Sequence, residues 1–317
     1  MPEYYSQLIA VGLFLAFVFL VYYLTFRSLW DRMWGKPPRG RLDRCLRSRT
    51  VTAFLMAAVV VGSGCIFYGF FIEPQRLVVT HYTVATPKLP KGARIRIVHI
   101  ADLHTRTEGV RERKLPGLVA ALEPDLILHT GDFFSKTDAS ASAVEKLLRS
   151  LQAPQFACMG NLDGYADFDG VLKRAGAVAL DGAAQSVTVG AYTLSLTGFP
   201  SGAVPLMHRA LQTLSADTFN IVLYHHPDGF PEIWNTNADL MLAGHTHGGQ
   251  VRLPFYGALV TLDRYGKRFE YGRYTEEGKT LIVSRGIGCE PGLPELRFLC
   301  APEVVVIDVV GEGTGVS

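Results

Sequence analysis

Residues 240–250 read LMLAGHTHGGQ: four apolar positions run into Gly244, and His245 and His247 follow, two residues apart. A short apolar run closed by glycine reads as a buried strand. Polar residues just past its end lie where an α/β sheet collects its ligands. Two imidazoles there suit a metal ion, but one such pair arises by chance often. A single histidine on an apolar strand is more often a core residue than a ligand. What decides the reading is whether other strands end in the same way.

Four more do. RIRIVHIA (residues 94–101) is followed by Asp102 and His104, and DLILHT (125–130) by Asp132. FACMGNLDGY (156–165) places Asn161 and Asp163 after Gly160, and NIVLY (220–224) leads to His225 and His226. The helix-like stretches KLPGLVAALE and SAVEKLLRSLQ separate the first three runs, so the order reads as βαβ units. YTLSLTGF, TLIVSRG and EVVVIDVV add further strands, and no internal repeat is visible. Carboxyl ends of strands converge in such sheets, so residues far apart in sequence share one site. Oxygen and imidazole donors without a thiolate suit Mn, Fe, Zn or Mg rather than a structural zinc site. Asp102, His104, Asp132, Asn161, His225, His245 and His247 are too many ligands for one ion. Sharing Asp132 between two ions distributes them sensibly. His99, His129, His81 and His208 lack such company and read as ordinary residues outside the site.

The ordered set DLH, GD, GNLD, YHHPD and AGHTHGGQ resembles the calcineurin-like metallophosphoesterases over residues 94–309. GHTHGGQ is especially similar to their bacterial membrane-associated branch. The resemblance implies an α/β fold, a four-layer αββα sandwich with two divalent metal ions at one edge of its paired sheets. By motif position, one ion takes Asp102, His104, Asp132 and His247, and the other takes Asp132, Asn161, His225 and His245. Such a pair activates water and clamps a phosphate oxygen for in-line attack, with no covalent enzyme intermediate. Gly244, Gly248 and Gly249 are expected to let the backbone pass close to the ions and the phosphate. The implied activity is hydrolysis of a phosphodiester, a phosphomonoester or a pyrophosphate.

One position departs from the pattern. Family members usually carry histidine where this chain has Leu162, paired with the following acid, Asp163, to protonate the leaving oxygen or steady its charge. Leucine can do neither, and a missing general acid costs about 10²- to 10⁴-fold when the leaving group is basic. His226 stands where many relatives carry Asn, and is a candidate for touching substrate. His226 and Asp163 are therefore the candidate catalytic residues. The alternative reading is a catalytically weakened binding module built on the same sandwich.

The N-terminal part has a different composition. Residues 8–26 and 51–72 are uncharged runs, each close to the length of about 20 residues that crosses the hydrocarbon core as a helix. Between them, residues 27–49 carry eight Lys or Arg against Asp31 and Asp43. The positive-inside rule puts this loop in the cytoplasm, and hence the rest of the chain on the outer face of a two-pass cell-membrane protein. Arg76, Lys88, Lys91, Arg94 and Arg96 pull the other way. A cleaved signal peptide is not expected, because residues 1–7 contain no basic residue. The expected organisation is a membrane anchor over 1–72, a connector over 73–91 and a metallophosphoesterase domain over 92–317.

Composition agrees with that division. The hydrophobic share is 48%, and mean hydropathy is positive, more than a wholly soluble chain needs. A net charge of +2 gives no sign of a nucleic-acid surface. Five cysteines in a chain of this size do not form a disulfide framework. Cys158 reads as a small buried hydrophobe, and pairing of Cys289 with Cys300 stays open. The expected partners are a phosphate ester substrate, with a lipid-linked one within reach of such an anchor, and the bilayer itself. A transporter is excluded by the few spans and their lack of charge.

Overall fold

A computed structural model describes residues 2–135, 139–292 and 294–313. The chain opens with helices α1 (Pro2–Met33), α2 (Arg41–Leu46) and α3 (Arg49–Phe71). Strands β1 (Val78–Pro90) and β2 (Arg94–Ile100), helix α4 (Val110–Ala121), β3 (Leu126–His129), α5 (Ala139–Arg149) and β4 (Gln155–Ala157) follow. Next come α6 (Phe168–Ala175), β5 (Val178–Ala179), β6 (Gln185–Val189), β7 (Tyr192–Phe199), α7 (Val204–Leu211), β8 (Phe219–Tyr224) and β9 (Leu240–Ala243). The short pair β10 (Arg252–Leu253) and β11 (Gly257–Ala258), then β12 (Gly272–Glu276), β13 (Lys279–Val283) and β14 (Glu303–Gly313) complete it.

α1 and α3 form an antiparallel hairpin, with Tyr22 bonded to Ser63 at 2.8 Å and Ser28 to Thr52 at 3.4 Å. The Ser48 hydroxyl caps α3 by accepting from the Val51 amide. Both helices are long and apolar enough to cross a membrane, and they leave large side chains such as Phe17, Phe19 and Phe54 exposed. In the basic turn Arg47 bridges Asp31 and Asp43 at 2.9 and 2.8 Å.

The domain is built on two six-stranded sheets, ordered β1-β14-β2-β3-β4-β5 and β12-β13-β9-β8-β7-β6. Period-2 alternation in strands buried on both faces decides which residues meet. Ile95 and Ile97 of β2, Leu126 and Leu128 of β3, Ile221 and Leu223 of β8, and Leu240 and Leu242 of β9 fill the space between the sheets. Their neighbours face the helices. Val98, Ile100 and Ile127 pack on Leu115 of α4, Val144 of α5 and Val171 of α6, while Val222 and Met241 pack on Met207 and Leu211 of α7. The result is the expected αββα arrangement, each fully buried aliphatic side chain contributing about 1.5–3 kcal/mol. Cys158 lies in the inter-sheet core, and all five cysteines are free.

The stretch expected as a connector is different. Residues 78–90 form the edge strand β1, parallel to β14 from Val78 opposite Glu303 to Thr86 opposite Gly311. Val84, Thr86 and Leu89 are buried while their neighbours are open, as an edge strand requires. The folded unit therefore begins soon after the end of α3. In the first sheet β2, β3 and β4 run parallel, and in the second β7, β8, β9 and β13 do, so two sets of carboxyl ends are available for one site.

Candidate metal centre

The first sheet presents Asp102 just past β2 and Asp132 just past β3. The Asp102 carboxylate accepts the His245 amide at 3.0 and 3.1 Å, a bond that crosses from one sheet to the other. A Cβ on Gly244 would lie 2.6 Å from Asp102 Oδ2, so only glycine lets the two strand ends approach this closely. Asp132 Oδ1 accepts the Leu162 amide at 2.8 Å. Its Oδ2 lies 3.3 Å from His225 Nε2 and 3.7 Å from His104 Nε2, between two groups of imidazoles. Burial raises Asp102 to about 7 against the opposing pull of His225. Burial also acts on Asp132, but His225 and His104 more than offset it and hold this carboxyl below the usual range.

The imidazoles complete the arrangement. His104 Nε2 and His247 Nε2 face each other at 3.1 Å, and the rings stack. Burial brings His104 down to about 4 and His247 well below its ordinary value, so both are neutral at pH 7. His225 donates Nδ1–H to the Thr130 carbonyl at 2.7 Å, which turns Nε2 toward the carboxylates, where it can hold either a proton or a metal ion. That buried Nε2 has no hydrogen-bond partner. Burial opposes a proton on His225, but Asp132 and Asp102 prevail and raise it to about 9, so a cation would be received where the proton now is. His245 Nε2 is 3.3 Å from the Leu262 carbonyl, and burial with His225 brings this ring to about 4. Three groups bring their ligand atoms within 4.8 Å of one another: Asp102, His104 and His247; Asp102, Asp132 and His225; and His225, His226 and His245. The neutral imidazoles of His104, His245 and His247, converging with Asp102, Asp132 and a His225 held between carboxylates, fit a divalent metal centre.

Backbone conformation marks the same residues. Among the described residues, Asp102, His104, Asp132, His245 and His247 all have positive φ, between 41° and 71°. That conformation is uncommon for side-chain-bearing residues and persists where surrounding structure imposes it, often at functional sites. Asn161 is exposed at the rim, between Gly160 and Leu162, whose amides are bonded to Asp163 and Asp132. Gly248 and Gly249 crowd Arg285, Cys300 and Ala258 rather than open space for a phosphate.

The two candidate catalytic side chains turn out to be occupied elsewhere. Asp163 is fully buried and accepts the amides of Asp132 and Gly160 at 2.8 Å and of Phe133 at 2.7 Å. Its carboxylate holds the loop that carries Asp132, instead of facing a reactant. His226 bonds to Ser201 Oγ at 2.7 Å, with its ring 3.9 Å from that of His245. Burial, then His245 and His225, bring it to about 2, so it carries no imidazolium proton to donate. Leu162 is buried beside Asp132 with no side-chain donor to offer. His99 and His129 bond through Nε2 to Thr130 and Gln155, away from the centre, and His81 is exposed.

Two further residues reach the centre without a motif. Arg297, fully buried, donates to the carbonyls of Gly288, Arg285 and Cys300 and stands 3.3 Å from His247 Nδ1. Glu290 Oε2 is 3.6 Å from His247 Nε2. Both belong to the Gly-rich segment after β13. A search extended further past that strand end would have met them.

The family model of the calcineurin-like phosphoesterases matches residues 95–249. An uncharacterized metallophosphoesterase of Bacillus subtilis is 32% identical over 267 residues, covering 80% of this chain and 92% of its own. The chain belongs to the calcineurin-like phosphoesterases. It is a metal-dependent phosphoric ester hydrolase. The UDP-2,3-diacylglucosamine pyrophosphatase of Chlamydia trachomatis is 28% identical over 303 residues, 74% of this chain and 90% of that protein. A phosphodiesterase of Escherichia coli is 29% identical over 265 residues, 80% and 96% of the two chains.

Proposed function

We propose that this calcineurin-like phosphoesterase is a two-pass membrane enzyme that uses two divalent ions to hydrolyse a phosphodiester or pyrophosphate bond of a lipid-linked substrate. One ion is held by Asp102, His104, Asp132 and His247, the other by Asp132, Asn161, His225 and His245. The observation that carries the substrate reading is a cavity of about 230 Å³ that joins the centre to the end of the second apolar helix. Its lining includes the candidate ligand His104, Phe70 at the end of α3, Pro74, and Arg106 and Arg111, both paired with Glu295 of the same lining. A headgroup phosphate at His104 would thus leave its apolar part next to the hairpin. The names of the chlamydial pyrophosphatase and the Escherichia coli phosphodiesterase support the same bond types.

Bound ions supply an activated water and charge neutralisation on the phosphate. The chain's own residues do the positioning. Asp163 fixes the Asp132 loop, Thr130 fixes the His225 tautomer, and the His245 amide orients Asp102. The hairpin geometry supports the two-pass reading. Gln7 near the start of α1 bonds to Thr261, and the Arg297 amide donates to Gly69 near the end of α3, so both of these ends abut the domain. The basic turn is at the other end. Lys88, Arg94 and Arg96, which weaken the charge asymmetry in sequence, are paired with Asp239 and Asp308.

Full-length protein in mixed micelles, loaded with Mn²⁺, should cleave a lipid-linked pyrophosphate or diester faster than its deacylated counterpart. Equal rates on both would remove the lipid from the reading and leave a soluble ester. A reporter fused after Val309 should be active only outside the cytoplasm and one at Arg41 only inside, and the reverse result inverts the topology. A second reading, a binding module, draws on Leu162. It replaces the first if the metal-loaded protein cleaves no substrate in a panel that includes activated aryl esters.

A further inference from the structure

Glu290 stands at the mouth of the more buried half of the centre. Its Oε2 is 3.6 Å from His247 Nε2, the nitrogen that faces His104 Nε2 at 3.1 Å. Donor atoms that share an ion at about 2.0–2.2 Å lie roughly 3–3.6 Å apart along the edges of a tetrahedron or octahedron. Glu290 is therefore at the separation of a fellow ligand, with its oxygen on the metal-facing nitrogen.

The backbone is built to hold it there. The Gly288 amide donates to the Asp102 carbonyl at 2.6 Å and the Ile287 amide to Ala101 at 3.0 Å, which ties the segment to the end of β2. The Glu290 amide donates to Gln250 Oε1, and Gln250 closes the turn that carries His245 and His247. The segment that carries Glu290 is thus anchored to both sheets, with its carboxylate beside His247. Charge points the same way. Arg297 is a fully buried guanidinium 3.3 Å from His247 Nδ1, and an added carboxylate on this ion offsets it.

We infer that Glu290 is a further carboxylate ligand of the ion held by Asp102, His104, Asp132 and His247, an inference that rests on the two-ion reading. The two sites then differ in kind. The Glu290 site has three carboxylates and two imidazoles, and hard oxygen donors of that sort favour Mn²⁺ or Fe²⁺ over Zn²⁺. The other site, richer in imidazole relative to carboxylate, discriminates less.

The test titrates metal-free full-length protein with Mn²⁺, following free ion by its paramagnetic resonance. Native protein should bind two ions. E290Q should weaken one of them about 10-fold or more and leave the other within about twofold, the size of effect that changes around a metal centre bring. E290D, which keeps the charge on a shorter arm, should fall between. With Co²⁺ in place of Mn²⁺, E290Q should intensify the visible absorption of one site, because coordination number falls. Glu290 is partly exposed, so metal-free native and E290Q should melt together. Two native ions with an unchanged E290Q isotherm and Co²⁺ spectrum overturn the Glu290 assignment alone. A native chain that binds no Mn²⁺ or Co²⁺ overturns both it and the two-ion reading.

Discussion

The first sheet brings Asp102 and Asp132 to the centre, and the second brings His225, His245 and His247, with His104 the one imidazole of the centre on the carboxylate side. Each half alone is poorly satisfied. Asp102 is pushed up by burial, and His104, His245 and His247 are driven to neutrality. The contacts that relieve this cross between sheets: the His245 amide on Asp102, His225 Nδ1 on Thr130, and His225 Nε2 beside Asp132. The difference teaches that the centre is a seam. The hydrophobic core aligns the two edges, backbone bonds set the side chains, and ions complete what remains unpaired.

The most damaging way to open the seam is Asp132→Asn, because Asp132 Oδ2 lies 3.3 Å from His225 Nε2 and 3.7 Å from His104 Nε2, between imidazoles of both groups. Native-like folding with loss of both ions is expected. A lost Lewis-acid pair is worth several kcal/mol, so activity should fall by about 10³-fold or more. Elemental analysis that finds the His225 and His245 ion still fully occupied would show that Asp132 is not shared.

Chelation tests the seam without mutation. An ion at about 100 times its Kd stabilises the folded state by about 2.7 kcal/mol, and in a domain of this size each kcal/mol moves Tm by about 2–4 °C. Adding excess Mn²⁺ to metal-free protein should therefore raise Tm by about 5–10 °C per ion. Asp132→Asn should abolish most of that rise. An unchanged Tm on loading would mean that the hydrophobic core alone holds the two edges together.

Protons compete for the same seam. His225 at about 9 and Asp102 at about 7 both hold protons that a cation must displace. Ion affinity should therefore increase with pH, about tenfold per unit between 7 and 9 while His225 alone is losing its proton. Below 7, where Asp102 also binds one, the slope should steepen. Calorimetry in buffers of different ionisation enthalpy counts the released protons. A flat profile from 6 to 9 would mean that the carboxylates do not govern His225.

How much of this was readable depends on how far a residue lies from its strand. The seven candidate ligands each follow an apolar run within a few positions, and the regular spacing of runs and helix-like stretches carried the sandwich. Glu290 comes seven residues after β13 ends at Val283, and Arg297 fourteen, and only the fold of the intervening segment returns them to the centre. Strand β1 is hidden in the sequence because it is an edge: it buries few side chains and carries Pro87 and Pro90 in its last four residues, which read as linker. Asp163 is a different case. Its neighbours in sequence suggest chemistry, whereas its partners, four amides from two loops, appear only in the folded chain.

The smallest expected effect, and the sharpest on mechanism, concerns Leu162. Leu162 carries no proton, Asp163 is locked among amides, and His226 is neutral, so none of the three supplies a strong acid to a departing oxygen. Native enzyme should therefore favour aryl phosphodiesters, whose leaving groups need no proton, over alkyl ones. Leu162→His should raise alkyl turnover by about 10²-fold, at the low end of general-acid contributions, and leave aryl turnover nearly unchanged. Metal content should stay constant, since it is the Leu162 amide, kept by histidine, that bonds to Asp132. Asn161→Ala gives the contrast, losing one ion and activity on both esters alike. If Leu162→His leaves the aryl-to-alkyl ratio where it was, the proton comes from water or from the substrate itself, and the missing histidine is a change this centre had no need to repair.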